Sequence, residues 1–326
     1  MLNKKKEHPK EKSRLHPRNR HRERYDFGQL IVACPDLAKF VKMNLYNDES
    51  IDFSDPEAVK MLNKALLKHF YQIEHWDIPQ NYLCPPVPGR ADYIHYAADL
   101  LRGKNYGKIP TGNEIKILDI GVGANCIYPL IGNKEYGWSF IGSDIDQSAI
   151  ESADKIINSN SVLAGKIDLR LQPDPKDIFY GILQKNEPID LSLCNPPFHA
   201  SLAEAQSGTL RKLNNLNEGL ITSPVLNFGG QNNELWCEGG EERFTQDMIR
   251  QSRQFLDSVF WFTTLISKQS TLKSAYDTLR RADAVEVETI PMGQGNKTSR
   301  LLAWTFLDPS EQKKWANSRW KMKSGK

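Results

Sequence analysis

The chain has 326 residues, 39% of them hydrophobic and 25% charged, with a formal net charge of +3, which is enough for a large core and more than one folding unit. A mean hydropathy of −0.55 and the lack of any uninterrupted apolar run of about 20 residues exclude a membrane-spanning helix. The lysine-rich start, Met1 to Lys6, leads into no apolar segment of secretory type, and the five cysteines, Cys34, Cys84, Cys126, Cys194 and Cys237, lie far apart without paired spacing, so a reducing, cytoplasmic setting is expected and a zinc or other metal site is not.

Charge is unevenly placed. Residues 1–24 carry ten Lys or Arg against three acidic residues, +7, whereas the remainder is −4. With His8, His16 and His21 interspersed, this segment reads as a disordered basic arm that engages phosphates, the alternative being a solvated tail. Residues 25–110 read as a helical N-terminal region and lid over substrate and cofactor. Asp36 and Ser54-Asp55-Pro56-Glu57 are start signals, and Val59, Leu62 and Leu66 share one face. A proline-rich exit, Asn81 to Gly89, precedes a helix predicted from Ala91 to Arg102 with Ile94, Ala97 and Leu101 inward. Arg90 then sits at a helix start, where a guanidinium and free backbone N–H groups would meet a carboxylate, unless it is an ordinary exposed arginine.

From residue 111 to 310 a doubly wound core is predicted. An apolar strand from Ile115 runs into the glycine turn Gly121-Val122-Gly123. Its glycines let the chain turn sharply and a ligand approach the backbone, and Asp119 can bind the amino end of a zwitterion. The strand Ser139 to Asp144 ends in a carboxylate about 20 residues later, the spacing that chelates ribose hydroxyls. The sixth fingerprint position is Cys126 rather than Gly or Ala, so a nucleoside cofactor without phosphates, S-adenosylmethionine, fits better than a dinucleotide. Asp177, in the loop after Leu171, is either a contact to the cofactor adenine or a helix cap.

The strand Ile189 to Cys194 closes on Asn195-Pro196-Pro197-Phe198, whose job is to hold a planar amino group. The Asn195 oxygen and the Pro196 carbonyl can each accept one of its hydrogens, and Phe198 can stack on the base; proline at 196 and 197 leaves carbonyls as the backbone's offering. The bland reading is a tight Pro-Pro turn.

A polar insertion, 200–237, follows. Its Arg211, Lys212, Phe228 and Trp236 offer phosphate and base contacts, or it is a small structural excursion. Strands and helices then alternate: helix Glu241 to Leu256, strand Val259 to Ile266, helix Leu272 to Arg281, and a hairpin of Val285 to Ile290 with Arg300 to Phe306. The expected class is α/β and Rossmann-like, a mainly parallel sheet with an antiparallel last strand. The basic tail 311–326, with Trp315, Arg319 and Trp320, either stacks on bases or packs as a terminal helix.

The order strand, Gly-x-Gly, acidic strand end, Asn-Pro-Pro-Phe resembles the class I S-adenosylmethionine-dependent methyltransferases of the amino-methylating type. Four blocks, Pro85 to His95, Gly123 to Pro129, Cys194 to Phe198 and Cys237 to Glu241, are similar to the bacterial large-subunit (23S) ribosomal RNA adenine-N6 methyltransferase F family, which shares them with a eukaryotic RNA adenine-N6 methyltransferase. The likeness covers Tyr25 to Leu307. It implies methylation of N6 of a specific adenine in 23S rRNA by a cytoplasmic monomer acting on the large subunit or an assembly intermediate. It puts Arg90, Gly121 and Asp144 at cofactor positions, Asn195 to Phe198 at the base-holding loop and Glu238 beside the pocket. The eukaryotic relative has Glu at the position of Asp144. Protein glutamine or DNA adenine methylation, and a non-catalytic RNA-binding adaptor on the same fold, are the alternatives.

Overall fold

Seven strands build one sheet: β1 (Lys116–Ile120), β2 (Ser139–Asp144), β3 (Ile167–Leu171), β4 (Ile189–Cys194), β5 (Val259–Ile266), β6 (Glu286–Gln294) and β7 (Lys297–Thr305). The computed structural model describes residues 11–44, 46–201, 204, 232–294 and 297–320. The spatial order is β3-β2-β1-β4-β5-β7-β6. The first five strands pair in parallel, and β7 pairs antiparallel with both β5 and β6. This is the α/β arrangement expected. All six residues of β4 and all eight of β5 are buried, the mark of central strands covered on both faces. Sheet order reverses between β1 and β4, so a crevice opens at their carboxyl ends.

Helices α1 (Phe27–Ala33), α2 (Pro56–Tyr71), α3 (Val87–Lys104), α4 (Ile127–Tyr136) and α5 (Gln147–Asn158) precede β3. Helix α2 starts where Asp55 accepts the Glu57 N–H, with Pro56 at the first helical position. Its Leu62 and Leu66 are buried beside Ile94 of α3, Ile117 of β1 and Trp138 in a single cluster. The helical region 25–110 is therefore a layer of the sheet's own core, held by an α3 that buries Ala91, Ile94, Ala97 and Leu101, and it also contributes Leu83 and Arg90 to the wall of the cavity into which that crevice leads. On the opposite face, α6 (Gly240–Ser252) and α7 (Gln269–Arg281) pack with Phe179, Ile189 and Phe262.

The N-terminal segment also differs from expectation. Residues 11–24 are ordered against α3, with Glu11 and Glu23 bridged in antiparallel fashion. The His16 N–H donates to Asp92 Oδ1 at 2.9 Å, Asn19 Nδ2 to the Pro88 carbonyl at 2.8 Å, and Arg18 Nη2 to Asp99 Oδ1 at 3.0 Å. Arg20, Arg22 and Arg24 meet Glu135, Glu11 and Asp48. His16 and His21 are buried, and burial pushes the His21 imidazole down to about 3. A charge count misses this because, Glu11 apart, the compensating carboxylates Asp48, Asp92, Asp99 and Glu135 come from outside the segment. Residues 1–10, with His8, lie outside the described residues.

Residues 309–320 pack on the domain, and 321–326 lie outside the described residues. After α8 (Pro309–Trp315), opened by an Asp308–Glu311 capping box, a π turn covers Ala316–Trp320. The fully buried Asp190 at the start of β4 accepts from Trp315 Nε1 (2.8 Å), Trp320 Nε1 (2.7 Å), Arg319 Nε (3.0 Å) and Nη2 (2.9 Å), and the Lys116 N–H (2.8 Å).

Candidate active site

The crevice between β1 and β4 leads into a cavity of about 240 Å³. Its floor is the turn after β1. Gly121 and Gly123 have φ of +74° and +63°, the left-handed region that favours glycine, and a Cβ added at Gly121 would meet nothing within 4 Å. A ligand can therefore lie against that backbone. Cys126, also left-handed at φ +54°, ends the turn, and Asn125 Oδ1 accepts the Ile127 N–H at the start of α4.

Arg90, Gly121, Gly123, Asp144, Asp177, Asn195, Pro196, Pro197 and Trp236 all line this cavity, so most of the positions singled out in the sequence converge. Arg90 Nη1 donates to the Tyr128 hydroxyl at 2.9 Å, and its guanidinium lies 5.4 Å from that ring's centre. Its backbone N–H donates to the Pro86 carbonyl, because α3 begins at Val87 rather than Ala91. The free N–H expected at Arg90 is thus already used, and only the guanidinium is available. Asp144 Oδ2 accepts the Gly123 N–H and its Oδ1 the Asp146 N–H.

Asp119 does not line the cavity. It is fully buried immediately before the lining residues Ile120 and Gly121, and neither carboxylate oxygen has a hydrogen-bond partner among the described residues. Burial, then the charge of Asp144, pushes its carboxyl up to about 8 against the pull of Arg90. The Asn195 oxygen and Trp236 Nε1 are likewise buried without a partner among the described residues. Buried polar groups are normally satisfied, so this set points to a ligand with a cation for Asp119 and an amino group for Asn195.

Phe198 is half-buried and off the cavity wall. Glu238 is exposed and also off the wall, whereas Glu241 of the same block is buried and accepts the Ser267 N–H at 2.6 Å and the Lys268 N–H at 3.2 Å. Gly240 is required there: an added Cβ would sit 3.1 Å from the Ala200 N. Arg211, Lys212 and Phe228 lie outside the described residues. The base of the insertion is closed by His199 N–H donating to the Leu235 carbonyl and Cys237 N–H to the His199 carbonyl, which brings Trp236 to the wall.

Sequence reasoning missed Glu234, Asn125 and Tyr128 on the cavity wall. Glu234 Oε2 accepts the Leu83 N–H at 3.1 Å, a contact across 151 residues with no local signal. Asn125 and Tyr128 lay within a recognised block, and the turn's need for a cap at Ile127 was the available clue to the first.

The donor set suits S-adenosylmethionine: a guanidinium for its carboxylate, an unpartnered carboxyl for its ammonium, and a carboxylate at a strand end for ribose hydroxyls. Comparison with known proteins agrees. Residues 9–308 match the RNA methyltransferase family. Ribosomal RNA large subunit methyltransferase F of Cytophaga hutchinsonii is 59% identical over 317 residues, 97% of this chain and 98% of that protein. Its counterpart in Serratia proteamaculans is 56% identical over 321 residues, 98% and 96% of the two chains. The catalytic domain of human Mettl16 in complex with MAT2A 3′UTR hairpin 6 superposes with a TM-score of 0.75 at 32% identity, covering 90% of this chain and 98% of that one. The N-terminal domain of human METTL16 in complex with SAH gives 0.71 at 29% identity, with 90% and 99% covered. The chain belongs to the RNA methyltransferase family.

Proposed function

We propose that the protein transfers a methyl group from S-adenosylmethionine to N6 of one adenine in large-subunit ribosomal RNA. The observation that carries this reading is the Asn195 side-chain oxygen, buried and without a partner among the described residues, on the wall of the cavity that also holds Arg90, Gly121 and Asp144. Its nature as an acceptor beside the Pro196 carbonyl suits an NH2 group with two hydrogens to give.

When bound, S-adenosylmethionine supplies an electrophilic sulfonium methyl. Arg90, fixed by Tyr128, would receive the carboxylate end; Asp119, one residue behind the wall formed by Ile120 and Gly121, would be the carboxyl group available to the ammonium; Asp144 retains lone pairs for ribose hydroxyls beyond those that accept from Gly123 and Asp146. An adenine leaves its stack to reach the cavity. Asn195 and Pro196 take its two amino hydrogens, which turns the nitrogen lone pair away from the ring and toward the cofactor side. Trp236 Nε1–H, on the same wall, offers a donor to a ring nitrogen. The names of the relatives support RNA of the large subunit as the substrate.

The test is transfer of labelled methyl to RNA, DNA and protein in parallel, with mass mapping of large-subunit RNA from cells with and without the gene. Loss of one N6-methyl from a single adenine supports the reading. Transfer to protein or DNA with none to RNA overturns it.

A further inference from the structure

Strand β4 keeps its register with β1 to the end, with Ile120 opposite Cys194, but its register with β5 stops at Ser192 opposite Phe262. Two hydroxyls occupy the place where the ladder stops. Thr263 of β5 donates to the Ser192 carbonyl at 2.6 Å. With that proton committed, Thr263 Oγ1 is the acceptor for the Tyr93 hydroxyl at 2.8 Å. The Tyr93 oxygen in turn accepts the Cys194 N–H at 3.2 Å and lies 3.3 Å from the Cys194 carbonyl. Tyr93 and Thr263 are both fully buried, so no water competes for these bonds. Cys194 is the residue immediately before Asn195, and Tyr93 lies one turn along α3 from Arg90 on the cavity wall, with its ring edge-on to Tyr128 at 5.3 Å.

We propose that Tyr93 is a positioning residue for the amino-holding loop: its hydroxyl, in series with that of Thr263, parts β4 from β5 and fixes the direction in which Asn195 and Pro196 leave the strand. A continued ladder would carry residue 195 along β5. The hydroxyl pair stands in for β5, Thr263 at the Ser192 carbonyl and Tyr93 at the Cys194 N–H, and leaves the following carbonyl and amide aimed at the cavity. The proposal rests on the reading of Asn195 given above.

Five variants test it: Tyr93→Phe, Thr263→Val, these two combined, Thr263→Ser and Asn195→Ala. Each is measured for methyl transfer from labelled S-adenosylmethionine to deproteinised or subunit-borne ribosomal RNA from cells lacking the gene, for S-adenosylmethionine affinity by calorimetry, and for melting temperature. Tyr93→Phe and Thr263→Val are expected to lower kcat by about 10²-fold, the penalty of a misplaced reacting group, with cofactor Kd changed by less than about threefold, which is under 1 kcal/mol. Thr263→Ser recovers most of the rate that Val loses, and the Phe and Val losses combine less than multiplicatively because they break one chain. A normal kcat in Tyr93→Phe beside a crippled Asn195→Ala overturns the proposal and leaves the reading of Asn195 intact. Full turnover in Asn195→Ala overturns that reading itself. Cofactor affinity falling in step with kcat in Tyr93→Phe overturns the positioning role in favour of a packing one. Should Tyr93→Phe not fold, Thr263→Val with a normal kcat overturns the proposal equally.

Discussion

Asp144 Oδ2 accepts the Gly123 N–H at 2.9 Å, which ties the end of β2 to the glycine turn after β1. A single carboxylate therefore shapes the turn and faces the cavity that the turn forms. Replacing Asp144 with Ala is expected to weaken S-adenosylmethionine binding by about 10- to 100-fold, the scale of losing hydrogen bonds to a charged group, while kcat at saturating cofactor falls much less. Calorimetry with steady-state kinetics checks it; unchanged cofactor affinity would remove the ribose role.

Asn195→Ala should do the reverse. The lost acceptor acts on the reacting amino group and not on the cofactor, so turnover is expected to fall by about 10²-fold or more with cofactor affinity nearly intact. A variant with lost cofactor binding and a normal rate at saturation would contradict the assignment.

Asp119 makes two coupled predictions. Its folded pKa, pushed up to about 8, lies well above the ordinary carboxylate value, so its protonated form is favoured on folding. The stability this contributes is fully present below about pH 4 and lost as pH rises through 8. Asp119→Asn, which cannot ionise, is expected to melt higher than the parent protein at pH 8–9 in the absence of cofactor and to bind cofactor more weakly. In the parent, the arriving ammonium should draw the carboxyl into its ionised form and release about one proton near pH 7. Calorimetric binding enthalpies in buffers of different ionisation enthalpy would reveal it, and buffer-independent enthalpies would count against it.

The packed segment 11–24 predicts the opposite of an inert tail. His21 and His95 are both held down to about 3 by burial. Their contribution is present above pH 6.5 and lost as pH falls toward 3. Melting temperature should decline from pH 6.5 to pH 4, and less steeply once His21 is replaced by Phe. Deleting residues 1–24 should lower the melting temperature by about 5 °C or more, since each kcal/mol is worth roughly 2–4 °C and the buried Leu15, His16, Asn19 and His21 are all lost. An unchanged melting point would show the segment to be dispensable for the fold.

How much of this could be read from the chain varied with the range of the interaction. The glycine turn, the ends of β2 and β4 and the Asn-Pro-Pro-Phe loop were legible because each is specified by adjacent residues. Helix α3 began four residues before the predicted Ala91, because Pro88 near the first turn initiates a helix as readily as it ends one. Strand β6 ran through Pro291 to Gln294 instead of stopping at Ile290; it lies at the sheet edge, where proline costs no ladder bond on the open side. The Arg18–Asp99 pair and the Glu234–Leu83 contact span 81 and 151 residues, and no local pattern announces them.

The clamp on Asp190 has a consequence for the order in which the molecule can be finished. Breaking a buried charge contact of this kind costs about 3–5 kcal/mol, and here four of the five donors come from residues 315–320. During synthesis, the Asp190 carboxylate of the central strand β4 has only the Lys116 N–H until the donors of residues 315–320 emerge. The sheet can assemble earlier, but its middle is secured only once residues 315–320 have left the ribosome.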